Sequence, residues 1–495
     1  VLNRSRCSSC LLLLLLLAPA VNAFSVQPPK QKTNGASQPQ SPPSIQVDDQ
    51  LPLSETLLET TVNTGHNSTT TEQSAPSDNA SANKKSPAIL LNLNARQVVQ
   101  EMEPMAQDIL GSSSVFCTAT EDEAREAARD MARNLDDYSI ICPVGGDGTL
   151  CSAIELLCDA LLEEHESIKS VEEALRRLPP IGYIPLGTGN GVGSVVGCQA
   201  PPESRSGWRR FFRKKQSKLQ SFEATLRHIK DFDESNKNKK SRHEIVEMPM
   251  IQLTTKSSDG KTSESTTCFF AGIGFDSLLL NDYSQLKSWA KSKRRLPLVL
   301  KQWLSSVAGY SVALVTKTLP QCATTGAHNI QVTVTTNSPN STLWVDHRRG
   351  DMVRPIAAAP NNDEATMLYQ GTTGILAAST CPYYGGGLRM FPFARMTTDK
   401  MQLRLGRLHP MTGIRNLPGI FAGSYRDKTP DDFGVLDFIG NDFDVYVQSA
   451  ATAGEGFPLQ HSGESVGSVN SFRLQVVPEQ IRFVSFLPPV VVESL

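Results

Sequence analysis

An α/β domain followed by an all-β domain is the fold class that the amino-acid sequence predicts, and three observations predict it. Apolar runs of strand length alternate with helical stretches between about Ala88 and Leu178. Two of these runs end abruptly in glycine-rich polar turns, Gly145-Gly146-Asp147-Gly148-Thr149 and Gly187-Thr188-Gly189-Asn190-Gly191. Beyond Glu244 the pattern changes to short β-branched and aromatic runs with a single helical region. Strand and helix alternation argues for a parallel sheet covered by helices on both faces, whereas a succession of strands argues for an all-β unit.

A chain of 495 residues, 39% hydrophobic and 20% charged, has globular composition and room for two or three domains. Its net charge of -2 gives no global attraction for nucleic acid, so no nucleic-acid partner is expected and electrostatic partners must be read from local clusters. Ten cysteines are present, Cys7 and Cys10 near the start. The others are scattered without metal-ligand spacing, and Cys142, Cys158 and Cys268 stand in apolar surroundings. They read as small core residues, with no disulfide framework and no metal site.

The first residues have the layout of a signal peptide, residues 1–23: Arg4 and Arg6, then Leu11 to Leu17, then Ala18-Pro19-Ala20-Val21-Asn22-Ala23. The apolar run is shorter than the ~20 residues that span a bilayer, so the expectation is entry into the secretory pathway without a membrane span. Residues 24–86 are rich in Ser, Thr, Pro, Gln and Asn and read as a disordered leader or linker. Up to Val47 that segment carries Lys30 and Lys32 but no acid, which resembles the two-part presequences of algae whose plastids lie inside the secretory system. Plastid delivery is one expectation, and the ER or Golgi lumen or secretion is the other. Asn67-Ser68-Thr69 and Asn79-Ala80-Ser81 are glycosylation sequons in the same tail.

In the α/β domain, residues 87–243, the run from Ala88 to Asn92 is the first strand and Asn92-Leu93-Asn94-Ala95-Arg96 its turn. A helix to about Leu110, a strand from Ser114 to Thr118 and an acid- and Ala-rich helix from Glu121 to Leu135 follow. Next comes the run Ile140 to Val144 and the first glycine turn, after which Leu150, Ile154, Leu157 and Leu161 recur at helical spacing. Glycines let backbone N–H groups approach an anion closely, and the helix start behind them favours negative charge, so phosphate is the natural guest. Asp147 would then stand beside phosphate oxygens, where a carboxylate holds a metal ion, orients a ligand, or takes a proton from an attacking hydroxyl. The strand from Ile181 to Leu186 ends in the second turn, and two such turns at the carboxyl ends of sheet strands define one crevice. The glycines of that turn fall at every second position, which does not fit a dinucleotide fingerprint.

A basic insertion, residues 203–243, interleaves Arg209, Arg210, Arg213, Lys214, Lys215 and Lys218 with Trp208, Phe211 and Phe212. Such a stretch suits an anionic membrane surface. The all-β domain, residues 244–488, opens on Glu244 to Leu253 and reads as strands at Thr266 to Ala271, Asn329 to Thr335, Ser341 to Val345, Gly374 to Ala378, Gln402 to Leu405 and Asp444 to Val447. The interrupting helical region, near Asp282 to Thr316, has Lys287, Lys291, Lys293, Arg294 and Arg295 beside Trp289, Trp303 and Tyr310. It is a second candidate for peripheral membrane contact.

Gly145 to Thr149 followed by Pro185-Leu186-Gly187-Thr188-Gly189-Asn190 resembles the catalytic domain of the diacylglycerol kinase family, which includes sphingosine and ceramide kinases. Three further stretches match in order: Gly272-Ile273-Gly274-Phe275-Asp276, Pro382 to Met390, and Pro458-Leu459-Gln460-His461-Ser462-Gly463-Glu464. The resemblance implies a Rossmann-like α/β nucleotide-binding domain followed by a β-sandwich, with the active site in the cleft between them. It implies an ATP-dependent lipid kinase that uses Mg2+ and passes the γ-phosphate to a lipid hydroxyl of diacylglycerol or a sphingoid base. Asn92, Asn94, Gly145, Gly146, Gly148, Thr149, Gly187, Thr188, Gly189 and Asn190 are the expected nucleotide contacts. Asp147 is the expected central acid, as the base or linked to the metal, with Glu464 in support.

Two positions depart from the family pattern. Gly191 stands where many members have Asp, and Ser462 replaces the first acid of the usual Asp-Gly-Glu, a change that could remove a general base worth roughly 10² to 10⁴ in rate. Hence two alternatives stay open: an enzyme similar to NAD kinases, with which Gly-Gly-Asp-Gly-Thr is shared, or a catalytically weakened lipid- and nucleotide-binding protein. Gly463 to Gly467 spells a hydrolase elbow, but the strand-like Ser471 to Val477 follows where an elbow needs a helix. Asp432-Phe433-Gly434 has none of the companion motifs of a protein kinase.

Overall fold

A computed structural model describes residues 85–486 except 96, 188–189, 200–217, 231, 233–243, 257–262, 294–295, 298–299, 302–303, 305–306, 327–328, 348–349, 357–364, 385–387, 407–415, 417–418, 420–434 and 449–455. The signal peptide, the leader up to residue 84, the basic cluster from Arg205 to Lys215, and Arg96, Thr188, Gly189, Arg294, Arg295, Trp303 and Gly385 to Gly387 therefore lie outside the described residues.

The first strands are β1 (Ser86–Asn92), β2 (Val115–Thr118), β3 (Tyr138–Gly145) and β4 (Ile184–Pro185), ordered β2-β1-β3-β4 with every pair parallel. Strand β1 shows why the sequence there is a continuous apolar run. Ala88 and Leu90 face one core with Ala128, Met131, Ile154 and Leu157, while Ile89 and Leu91 face the opposite core with Met102, Ala106, Phe222 and Leu226. A strand buried on both faces needs apolar side chains at every position. The helices are α1 (Met102–Leu110), α2 (Glu121–Arg133), α3 (Asp147–Glu164), α4 (Val171–Arg177), the short α5 (Gly191–Val195) and α6 (Lys218–Lys230). Helix α2 starts at a capping box in which Thr120 and Glu123 satisfy each other's backbone N–H groups. Helix α6 lies inside the region read as a basic insertion and packs its Phe222, Leu226 and Ile229 into the sheet.

Two antiparallel sheets follow. Their strands are β5 (Glu244–Lys256), β6 (Ser263–Cys268), β7 (Phe270–Gly274), β8 (Ile330–Thr336), β9 (Leu343–Asp346), β10 (Met352–Pro355), β11 (Thr366–Thr373), β12 (Ile375–Ser379), β13 (Met401–Gly406), β14 (Val435–Gly440), β15 (Asp442–Gln448), β16 (Phe457–His461), β17 (Glu464–Val469) and β18 (Ser471–Ser485). The orders are β10-β9-β14-β13-β12-β7-β16-β17 and β11-β8-β15-β18-β5-β6. The sheets bury one shared core, in which Ile273, Leu376, Leu403 and Leu459 from the first meet Leu253, Val332, Phe443 and Leu474 from the second. This is the sandwich that the resemblance implied.

The helical region differs from its expected span. Helix α7 (Phe275–Ser292) begins at the end of β7, and α8 (Val307–Ala313) runs through a π-turn at Leu314–Thr318 into α9 (Leu319–Thr325). No described helix is long and apolar enough to cross a membrane. Strand β18 also goes beyond expectation. Its far end returns to the α/β core, where Phe483 forms a parallel bridge with Ile181 and Val484 joins the core of α1 and α6. The sandwich and the parallel sheet are thus tied by main-chain hydrogen bonds, Ile181 N to Arg482 O at 2.8 Å and Val484 N to Ile181 O at 2.9 Å.

Candidate active site

The two glycine turns lie against each other at the carboxyl ends of β3 and β4. Leu186 N donates to Gly145 O at 2.7 Å, and a methyl group built on Gly187 would stand 2.2 Å from Gly146 Cα. Only residues without Cβ allow that approach. Asn190 holds the second turn in shape. It adopts a left-handed φ of 49°, which asparagine tolerates better than most residues. Its Oδ1 accepts from Gly187 N at 3.1 Å and its Nδ2 donates to Pro185 O at 3.2 Å. Gln97 supports the same turn from the first strand's loop, donating through Nε2 to Gly187 O.

Asp147 opens α3 and is 7% exposed. Its Oδ2 accepts from Gly191 N at 2.6 Å, and Tyr183 Oη donates toward its Oδ1 at 3.2 Å. The carboxylate therefore joins the first turn to the helix start behind the second. Burial pushes its pKa up to about 6, opposed by hydrogen bonds from Gly191, Tyr183 and Val192. At neutral pH it is ionised while keeping the basicity of a proton acceptor. Each oxygen retains a further lone pair.

Glu464 approaches from the sandwich. Strands β16 and β17 meet in a two-residue hairpin in which Ser462 and Gly463 both have positive φ, 47° and 85°, the geometry of a type I′ turn. That hairpin aims Glu464 at the first turn, where its Oε1 would stand 3.1 Å from a Cβ on Gly148. Its carboxyl is raised above the usual glutamate range by burial, then by Glu121, against the lowering effect of Lys287. Ser462 does not occupy the crevice as an acid substitute. Its hydroxyl is buried 3.1 Å from Cys151 Sγ on α3.

The expected nucleotide contacts separate on this geometry. Gly145, Gly146, Gly148, Thr149, Gly187 and Asn190 come together, and Asn92 joins them by donating to Thr149 Oγ1 at 3.0 Å. Asn94 does not join them, because its amide donates to Ala119 O at the start of α2 and its backbone N is held by Asn92 Oδ1 at 2.9 Å. Among the described residues no three His, Cys, Asp or Glu side chains converge to hold a metal ion. With the Asp147 oxygens directed at Gly191 and Tyr183, the described residues do not make a protein cage for Mg2+.

Two residues of the site escaped sequence reasoning. Tyr183 is fully buried under both turns. Asp276, at the start of α7, accepts from Tyr384 Oη and Gln460 Nε2 through Oδ2, while its buried Oδ1 has no partner among the described residues. Burial raises its pKa, opposed by Tyr384, by the nearby backbone N–H groups of Ser277 and Asp276, and by Gln460. Asp276 follows Gly272-Ile273-Gly274 as Asp147 follows Gly145-Gly146, and that repeated glycine-then-acid spelling at a helix start was the available signal. It borders the crevice, since Gln460 lies two residues from Ser462 and a Cβ on Gly191 would stand 2.7 Å from the carbonyl of Tyr383, the neighbour of Tyr384.

The parallel α/β sheet thus sets two interlocked glycine turns over a buried carboxylate. Residues 83–224 match the diacylglycerol kinase catalytic domain. Among solved structures the chain is similar to a diacylglycerol kinase from Bacillus anthracis str. Sterne, 10% identical with a TM-score of 0.41, covering 80% of this chain and 94% of that one. It is also similar to yeast NADH kinase complexed with NADH, 9% identical with a TM-score of 0.39, covering 82% and 85%. No curated protein matches the chain.

Proposed function

We propose that this kinase transfers the γ-phosphate of ATP to a hydroxyl of a lipid. One observation carries the reading: in the segment that matches a diacylglycerol kinase catalytic domain, the interlocked turns come together at the start of α3, whose first N–H groups have no intrahelical acceptor, with ionised Asp147 beneath them and Glu464 facing Gly148. Phosphoryl transfer needs chiefly positioning and charge neutralisation. The backbone N–H groups of the turns hold the phosphates, and Asp147 accepts the proton of the attacking hydroxyl. Mg2+ enters with ATP as part of the substrate, bound mainly by phosphate oxygens. Asp276 Oδ1, a buried acceptor without a donor, receives a hydroxyl or amine of the acceptor's polar head.

The acceptor is drawn from an anionic membrane at the α7 side of the sandwich. From Tyr283 to Val345 the chain has no Asp or Glu but includes Lys287, Lys291, Lys293, Arg294, Arg295, Lys301 and Lys317. Trp289 is 48% exposed on α7, with Lys291 and Lys293 exposed beside it. Basic residues near an anionic bilayer contribute about 1 kcal/mol each, and an amphipathic aromatic ring suits the headgroup layer.

The test is incubation with γ-labelled ATP and a lipid extract, with the labelled product resolved by mass. A phosphorylated lipid is the expected outcome and names the acceptor. Labelled NADP formed from added NAD would favour the NAD kinase-like alternative instead. Absence of both products with vesicle binding intact would overturn the kinase reading in favour of a binding protein, to which the Ser462 substitution lends weight.

A further inference from the structure

Among the described residues, no charged side chain of opposite sign steadies Asp147. The titratable groups facing it are Tyr183, Cys151 on α3 and Cys381 from the sandwich, and burial keeps the Cys151 thiol neutral with its pKa pushed up to about 12. A lone buried carboxylate that must gain and lose a proton needs a partner adapted to both states. Tyr183 Oη lies 3.2 Å from Asp147 Oδ1, 3.3 Å from Asn190 Oδ1 and 3.4 Å from Gly145 O. A phenol has one proton to donate, so three acceptors compete for it.

We propose that Tyr183 is a positioning residue which keeps Asp147 hydrogen-bonded in both protonation states by turning its hydroxyl proton between Asp147 Oδ1 and Asn190 Oδ1. While Asp147 is ionised, the phenol donates to its Oδ1. Once Asp147 has accepted a proton, its own O–H donates to Tyr183 Oη, and the phenolic proton turns to Asn190 Oδ1 in the second glycine turn. No covalent bond other than that of the transferred proton changes. The aromatic ring cannot drift from this station: it is fully buried, and a Cβ on Gly193 of α5 would stand 3.2 Å from its Cε1. The charge on Asp147 is thereby coupled to the turn that receives the nucleotide.

The inference rests on the proposed role of Asp147 as proton acceptor, and its test has one arm that needs no turnover. Tyr183→Phe removes only the hydroxyl. In the lipid kinase assay the acidic limb of the kcat profile should move up by about one pH unit, a roughly tenfold weaker ionisation, because a charge-assisted hydrogen bond is lost. The KM for ATP should stay within about twofold. In urea unfolding, Tyr183→Phe should lose more stability at pH 8 than at pH 5, and that pH dependence should vanish in the Asp147→Asn background. An unmoved acidic limb, or equal pH dependence of unfolding in the two backgrounds, would reduce Tyr183 to a packing residue. If the wild-type enzyme phosphorylates no lipid, the functional reading fails, and the unfolding arm alone still decides whether Tyr183 serves Asp147.

Discussion

Asp147→Asn tests the buried carboxylate at the centre of the site. Burial lifts this group to about 6 from its ordinary 3.8. At about 1.36 kcal/mol per pH unit, holding the ionised form in the folded protein costs about 3 kcal/mol at neutral pH. The folded value lies above the unfolded one. The group's favourable contribution is therefore complete below about pH 4 and is lost as pH rises through about 6. Asparagine carries no charge and keeps the connections: its Oδ1 accepts from Gly191 N, its Nδ2 donates to Tyr183 Oη, and the phenol turns to Asn190 Oδ1. The stability of the variant relative to wild type should therefore rise by about 2 kcal/mol between pH 4.5 and 7.5, the remaining ~1 kcal/mol falling below that window. Urea unfolding of both proteins across the window measures the difference, and lipid phosphorylation at pH 7.5 should be lost in the variant. A stability difference independent of pH would refute the buried-charge argument, and near-normal phosphorylation would refute the role of Asp147.

Three further substitutions probe the surroundings. Gly187→Ala sets a methyl group against Gly146 Cα, and the backbone displacement that follows should lower kcat/KM by about 10²-fold; unchanged kinetics would mean that the turns do not need to interlock. Glu464→Gln keeps the shape of the group facing Gly148 but removes its charge, so kcat should fall by about tenfold. Unfolding should change by no more than about 0.5 kcal/mol, since most of this residue is exposed and only its carboxyl is desolvated, against the first turn. For Asp276→Asn, the amide oxygen can keep Tyr384 and Gln460 while the amide nitrogen replaces the open Oδ1 acceptor. The KM for the lipid should then rise by about tenfold with the KM for ATP unchanged, and an effect on ATP alone would remove Asp276 from the acceptor site.

The elements legible in the sequence are those whose own residues state their environment. Strand β1 is a continuous apolar run because both of its faces are covered, and α2 announces its start through Thr120 and Glu123. Two of the strands absent from the sequence reading have little to bury. Glu464–Val469 is mostly exposed at a sheet edge, and Thr366–Thr373, also at an edge, has few apolar side chains. The far end of β18 was read as the close of the all-β domain, yet Phe483 and Val484 are apolar because they sit in the α/β core. Nothing local to those residues distinguishes the two cores.

The same division runs through the site. By itself the sequence determined the two glycine turns, the carboxylate between them and the family they resemble, because a turn that needs backbone free of Cβ must spell out its glycines. Only the tertiary structure decided where the side chains point: Asp147 inward to Tyr183 and Gly191, Asn94 away to Ala119, Ser462 onto Cys151 and Glu464 toward Gly148. The physical reason is distance along the chain. The partners of Asp147 stand 36 and 44 residues away, and the cost of burying its charge is set by how the intervening helices and the sandwich close over it.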